Sequence, residues 1–284
     1  MSEMRNHSQK NIHVEFLGVE ESAGETKTES APDAGRIAVL SLDNPGTKNS
    51  MTLEMGMAFH GELHRLASED PMIRALVITG KNGVFSSGGD FELLKSFAEK
   101  DPEENRRYME SFYNLFLDVR SMPFPVLAAV NGHAIGASLA LALACDLRYF
   151  VPSAKYAFNF VRLGIHPGMG SSFLVKEVAG LAHAQELLLT GRYFSGTEAR
   201  ERGLCHALFP ADDMLDEVLK VAREIGTAAP QAVRMCKQGL YTNHTLSTAL
   251  AHEAFSQSRN FATADYREAL AAIQEKRRPQ FMDR

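Results

Sequence analysis

Cysteine is scarce: Cys145, Cys205 and Cys236 are the only three in 284 residues. An odd number spaced so widely excludes a disulfide scaffold and is expected of reduced core thiols in an intracellular protein. Basic clusters are missing too, since no group of five or more Lys and Arg occurs and 30 basic against 35 acidic residues leave a net charge of −5. Neither a nucleic acid nor an anionic membrane surface is therefore expected as the main partner. No apolar stretch reaches the ~18 uninterrupted residues of a membrane span. Pro125 to Cys145 comes nearest, but Asn131, Gly132, His133 and Gly136 break it, and Asp146 and Arg148 close it. A buried strand, a tight turn and a buried helix suit it better. Met1 to Lys10 is polar and lacks the apolar core of a secretory signal, so a cytoplasmic location is expected. What remains is ordinary for a globular chain, with 45% hydrophobic and 23% charged residues and enough length to bury a large core.

Asn11 to Val19 and Arg36 to Leu42 read as strands, separated by a polar run at 20–35 that is expected to be a flexible hairpin insertion. Apolar residues three and four apart (Leu53, Met57, Phe59, Leu63, Leu66) predict a helix over Met51 to Ala67, and Asp101 to Ser121 predicts another. Ala75 to Thr79 and Val126 to Val130 are short buried strands, and Ala137 to Cys145 is apolar on all sides, as an internal helix would be. Leu147 to Val151 and Tyr156 to Phe160 read as further strands. Alternation of buried strands with helices implies a mostly parallel sheet covered by helices, an α/β class. Beyond Gly168 the pattern is helical except for an expected strand at Cys205 to Phe209, so the last third reads as a helical appendage.

Two loops repeat one arrangement, in which a buried strand runs into glycine-rich backbone that opens a helix: Phe85-Ser86-Ser87-Gly88-Gly89-Asp90 and Asn131-Gly132-His133-Ala134-Ile135-Gly136-Ala137-Ser138. Helix N-termini leave N–H groups without intrahelical partners and carry partial positive charge, so two ends facing one point make an oxyanion site. The opposing possibility for each loop alone is that glycine merely permits a tight turn. Together with Asn44-Pro45, Asn49-Ser50-Met51, Pro125 to Gly132, Cys145-Asp146, Leu163-Gly164-Ile165-His166-Pro167-Gly168-Met169-Gly170, Leu189-Thr190-Gly191 and Glu275 to Pro279, these loops give a sequence that resembles the enoyl-CoA hydratase/isomerase (crotonase-like) family from about residue 36 to the end. The resemblance implies a ClpP/crotonase spiral of ββα units over residues 1–195. It also implies a helical trimerisation region over 196–284, and a homotrimer or a hexamer built as a dimer of trimers. The implied ligand is an acyl-CoA thioester, with coenzyme A as part of the substrate, no separate cofactor and no metal. Its carbonyl would lie between the backbone amides of Ser87 and Ala137. Ser50, Ser86, Gly88, Gly89, Asp90, Phe91, Gly136, Ala140, Phe160 and Gly164 would shape the site. Lys48 would reach the phosphate or adenosine, unless it is a solvated surface lysine, and Asp90 is expected to act chiefly as a helix cap.

The resemblance also exposes a departure. Hydratases of the family carry one glutamate three residues past the second oxyanion donor and another four residues before the glycine of Leu-Gly-x-x-Pro-Gly; here those positions hold Ala140 and Phe160. Neither can transfer a proton. Tyr113, Ser138 and His166 remain as protic candidates, each with a bland alternative as a packing or hydrogen-bonded residue. Arg162 stands where some dienoyl-CoA isomerases place an aspartate. It cannot act as a base, but it could hold a substrate carboxylate. The expected activity is therefore hydratase/isomerase-like enolate chemistry with an unusual acid/base. The alternatives are a silent acyl-CoA-binding protein or a crotonase-type carbon–carbon hydrolase or decarboxylase. His60 and His64 have the i, i+4 spacing that can grip zinc, but no third ligand is evident in the sequence, and a surface helix is the expectation.

Overall fold

The computed structural model of the chain describes residues 7–9, 11–19, 35–242 and 245–283. The expected insertion at 20–35 lies outside them but for residue 35, whose carbonyl accepts the Val19 amide at 3.1 Å. Ten strands and ten helices follow among the described residues. The strands are β1 (His7–Gln9), β2 (Ile12–Gly18), β3 (Arg36–Leu42), β4 (Ile73–Gly80), β5 (Val126–Val130), β6 (Ala134–Ile135), β7 (Leu147–Phe150), β8 (Lys155–Ala157), β9 (Tyr193–Ser195) and β10 (Ala207–Leu208). The helices are α1 (Leu53–Glu69), α2 (Phe91–Ser96), α3 (Pro102–Leu117), α4 (Ala137–Ala144), α5 (Ser171–Thr190), α6 (Gly196–Glu201), α7 (Met214–Gly226), α8 (Pro230–Thr242), α9 (Leu246–Asn260) and α10 (Ala264–Glu275).

The larger sheet runs β1-β2-β3-β4-β5-β7-β10. It is antiparallel over β1 to β3 and parallel from β3 onward. Its central strands are buried along their whole length, which is why Ala75 to Ile78 of β4 and the whole of β5 read as unbroken apolar runs. A second sheet, β6-β8-β9, continues outward through isolated bridges from Ala134 to Ser86 and from Gly89 to Met51. Each turn of the chain thus contributes a strand to the large sheet, a short piece to the second, and then a helix: β3, Met51, α1; β4, Ser86 with Gly89, α2; β5, β6, α4; β7, β8, α5. This is the ββα repetition that the resemblance implies.

Several elements differ from the sequence expectation. Tyr156 to Phe160 does not continue as a strand: β8 stops at Ala157, and Asn159–Leu163 forms a 3-10 turn ended by Gly164 at φ 75°. The predicted helix over Asp101 to Ser121 tightens to a 3-10 turn at Asp118–Ser121. Beyond residue 195, β10 joins the large sheet beside β7, and α7 covers β3, β4, β5 and β7, burying Met214, Val218, Leu219 and Ala222. The C-terminal stretch therefore completes the core as well as extending it. α8 is fastened by a buried ion pair. Lys237 Nζ donates to Asp146 Oδ2 at 2.8 Å and to the Phe124 carbonyl at 2.9 Å, while the Tyr241 hydroxyl donates to Asp146 Oδ1 at 2.8 Å.

Cys145 and Cys205 are buried free thiols, and burial pushes them up to about 12 and about 11 respectively. Cys236 is exposed on α8, which corrects the expectation of a core position for it. No described helix is long and apolar enough to cross a membrane.

Candidate active site

The site begins where strands of the large sheet end. After β3 the chain turns through Lys48 and Asn49, both with positive φ, a region that asparagine tolerates better than most residues. The Asn49 side chain is fully buried. Its Oδ1 accepts the Asn44 amide at 2.8 Å, and its Nδ2 lies 3.0 Å from the carbonyls of Lys81 and Val84 and 3.4 Å from that of Phe85. One carboxamide thus joins the turn after β3 to the turn after β4. Ser50 Oγ lies 2.6 Å from Thr47 Oγ1 and 3.1 Å from Asp90 Oδ2, adding a second tie. Asp90 caps α2 by accepting the Leu93 amide at 3.0 Å, as its residue type suggested.

The two glycine loops are laced together. The Ser86 amide donates to the His133 carbonyl at 3.2 Å, and the Ile135 amide to the Ser86 carbonyl at 3.4 Å. Gly88 has φ 91°, and a Cβ there would stand 2.3 Å from the Ile135 carbonyl oxygen, so only glycine lets the loops approach this closely. Ser138 is fully buried behind them: its hydroxyl donates within 2.9 Å of the Ser86 carbonyl and accepts the Ile135 amide at 2.9 Å. It is a brace between the loops and lies away from the cleft.

Backbone donors in the loops sort by what they already bond. The Ser87 amide donates to the Lys48 carbonyl at 3.0 Å, and its hydroxyl to the Thr47 carbonyl at 3.0 Å. The expected donor at Ser87 is therefore consumed, a correction to the sequence reading. The Gly88 amide donates to Ser86 Oγ at 3.1 Å and the Gly136 amide to the Ala157 carbonyl at 2.7 Å. Of the loop residues that line the cleft, two have an amide with no protein acceptor among the described residues: Gly89 and Ala137, the first residue of α4. Both residues line one cleft, and a Cβ built at Gly89 would meet nothing within 4 Å.

That cleft encloses about 690 Å³ including its open mouth. Its walls are mostly apolar: Leu93, Leu94 and Phe97 from α2 and the turn after it, Met109 and Phe112 from α3, and Phe160, Leu163 and Ile165 from the segment after β8. The polar side chains that line it are Ser87, Tyr113, Asn159 and His166, and no carboxylate does. Phe160 fills the wall beside Gly136, its ring 3.7 Å from where a Gly136 Cβ would sit, whereas Ala140 is fully buried inside α4 and outside the lining. Tyr113 lies close to Gly168, and burial pushes its phenol above the ordinary range against a hydrogen bond from the Met169 backbone. His166 is exposed, with Nδ1 2.9 Å from the Pro167 carbonyl oxygen. Of the three protic candidates and Arg162, the fold brings Tyr113 and His166 into the cleft and leaves Ser138 and Arg162 out. Arg162 donates from Nε to the Thr190 carbonyl at 2.6 Å, so the expected role in holding a substrate carboxylate has no geometric support. The exposed side chains of Lys48 and Phe91, and Gly164, are likewise outside the lining; the Lys95 ammonium sits 5.1 Å above the Phe91 ring.

This arrangement of spiral, laced loops and apolar cleft is that of the crotonase fold. A solved enoyl-CoA hydratase from Polaromonas sp. JS666 superposes with a TM-score of 0.82 at 32% identity, over 87% of this chain and 96% of that one. The 2,3-dehydroadipyl-CoA hydratase of Escherichia coli is 31% identical over 251 residues, 88% of this chain and 96% of its own. The human enoyl-CoA hydratase domain-containing protein 2, mitochondrial, is 34% identical over 263 residues, 89% of this chain and 87% of its own. The family model described as enoyl-CoA hydratase/isomerase matches residues 33–284. The chain belongs to the enoyl-CoA hydratase/isomerase family.

Proposed function

We propose that this protein is an enzyme that binds an acyl-CoA thioester with its carbonyl oxygen against the amides of Gly89 and Ala137. The observation that carries the reading is that these two amides, from separate loops, lack protein acceptors and line the same cleft. Removing a proton from the α-carbon of a thioester, or adding a nucleophile at the β-carbon of an enoyl thioester, turns the carbonyl into an enolate that is quenched by protonation at the α-carbon, and fixed donors stabilise that oxygen more as its charge grows. The amide at the start of α4 adds the partial positive charge of the helix end. The apolar walls suit an acyl chain and exclude water, which strengthens both hydrogen bonds. With no carboxylate in the lining, proton traffic falls to Tyr113 and His166. Tyr113, kept protonated by burial, is the natural donor. The reaction class is hydratase/isomerase-like, by a route other than a glutamate pair, and it needs no cofactor beyond the CoA portion of the substrate. Exposed Leu240, Leu246, Leu250, Phe255, Phe261 and Ile273 on and beside α8 to α10 support assembly into a homotrimer or a dimer of trimers.

Ala137→Pro tests the oxyanion reading. Proline is accepted at the first position of a helix but has no N–H. Turnover of an enoyl-CoA should fall about 100- to 1,000-fold with the circular dichroism unchanged; undiminished turnover would refute the assignment. The carboxylate-free lining also favours a second reading, a protein that binds acyl-CoA without converting it. Calorimetric binding of acyl-CoA, with no product from enoyl-, dienoyl-, malonyl- or β-diketone thioesters, would establish that reading in place of the first.

A further inference from the structure

Outside the cleft, the fold brings a carboxylate against two histidines that lie far from it in the sequence. His60 and His64 lie one turn apart on α1, with ring centroids 4.3 Å apart and edge-on. The chain returns beside them at the end of α3, where Asp118 opens the 3-10 turn. Asp118 Oδ2 stands 2.9 Å from His64 Nε2 and 3.4 Å from His60 Nδ1. One ligand atom from each of the three residues lies within 4.8 Å of the other two.

These contacts are not a conventional hydrogen-bonded ion pair. Both His60 Nδ1 and Asp118 Oδ2 are shielded from solvent, and neither finds a hydrogen-bond partner of acceptable geometry. Unpaired buried polar atoms are costly, so such convergence needs a reason. Zinc binds histidine nitrogen and carboxylate oxygen at about 2.0–2.2 Å, so a tetrahedral ion spaces its ligand atoms at about 3.3 Å, between the 2.9 Å and 3.4 Å that separate Asp118 Oδ2 from the two imidazole nitrogens. The other oxygen of Asp118 accepts the Ser121 hydroxyl at 2.6 Å, the kind of outer hydrogen bond that fixes a ligating carboxylate. Arg120, the cation bordering the same recess, is engaged elsewhere: it donates to Glu177 Oε1 at 2.7 Å and stacks 4.5 Å over the Tyr241 ring.

We propose that His60, His64 and Asp118 form a binding site for a borderline divalent cation, zinc foremost, which clamps α1 to the end of α3. Two imidazoles and one carboxylate select such an ion over Mg²⁺ or Ca²⁺, which prefer all-oxygen shells. The recess opens to solvent and leaves the fourth position to water. Because α3 also carries Met109, Phe112 and Tyr113, the ion stiffens one wall of the cleft without touching it.

The test uses the full chain, stripped with a chelator and then given ZnCl₂ alone. Calorimetry should show one saturable equivalent per chain, the melting temperature should rise with zinc, and Co²⁺ in place of zinc should give the visible absorption of a tetrahedral ion. His64→Ala and Asp118→Asn should each weaken zinc binding at least tenfold and abolish the cobalt spectrum. His64 is largely exposed, so its replacement leaves the fold intact, and the Asn retains an oxygen for Ser121. Absence of a saturable equivalent, or zinc binding unchanged in Asp118→Asn, would overturn the proposal.

Discussion

Lys237→Met probes how firmly the C-terminal helices are built into the core. Lys237 is 8% exposed, and its ammonium satisfies both Asp146 and the Phe124 carbonyl. Methionine matches the stem but withdraws the charge, leaving a carboxylate and a carbonyl short of one donor. Breaking a buried pair from one side costs about 3–5 kcal/mol. Asp146 keeps the Val126 amide at 2.7 Å and the Tyr241 hydroxyl at 2.8 Å, which places the loss near the lower end, about 3 kcal/mol. For a chain of this size, each kcal/mol moves the melting midpoint by roughly 2–4 °C, so a fall of about 6–12 °C is expected in calorimetry. Adding Asp146→Asn should restore part of it, because the uncompensated charge is then gone. A single variant that melts within about 2 °C of the parent would show that the pair contributes little and that α8 is held by its apolar contacts alone.

Gly88→Ala should abolish soluble expression or turnover, because its methyl would meet the Ile135 carbonyl at 2.3 Å and its φ is 91°, whereas Gly89→Ala should melt and turn over like the parent, having open space and an intact amide; equal behaviour of the two would contradict the loop geometry. Cys236 should react with a thiol reagent as a single fast equivalent at pH 8, with Cys145 and Cys205 appearing only on unfolding, since burial raises both thiols. Hydrogen bonds from Arg277 and from the Gln280 backbone hold Glu268 down to about 2, against 4.5 ordinarily. The stabilisation is therefore complete above about 4.5 and disappears as the pH falls toward 2, and an NMR titration should find the low midpoint, returned toward 4.5 by Arg277→Gln.

Apolar periodicity was enough to read the strand and helix alternation, while the two glycine loops pointed to a site only together with the family resemblance they carry. The Ala137 end was legible too, because the first amide of a helix has no intrahelical partner whatever surrounds it. Its counterpart was not. Nothing in Ser86-Ser87-Gly88-Gly89 reveals that the Ser87 amide turns to the Lys48 carbonyl, a contact set by a turn nearly forty residues earlier; only counting the acceptors shifts the free donor to Gly89. A still longer separation along the chain hides Asp118 from His60 and His64. β9, three residues long, has too little pattern to announce itself, and it exists because β8 offers an edge to pair with. Phe160 was read as strand, yet the αL glycine at 164 ends a tight turn that swings its ring into the cleft wall.

The single carboxamide of Asn49 has an implication for how this scaffold can change. By accepting the Asn44 amide from one turn and donating to the Lys81, Val84 and Phe85 carbonyls of the other, it makes the base of the loop pair one inelastic piece, in which a lengthened turn would unhook several partners at once. Diversification toward other acyl groups is therefore channelled to the opposite rim, where Leu93, Leu94, Phe97 and Met109 can be exchanged without disturbing that base. Libraries aimed at altered selectivity belong there.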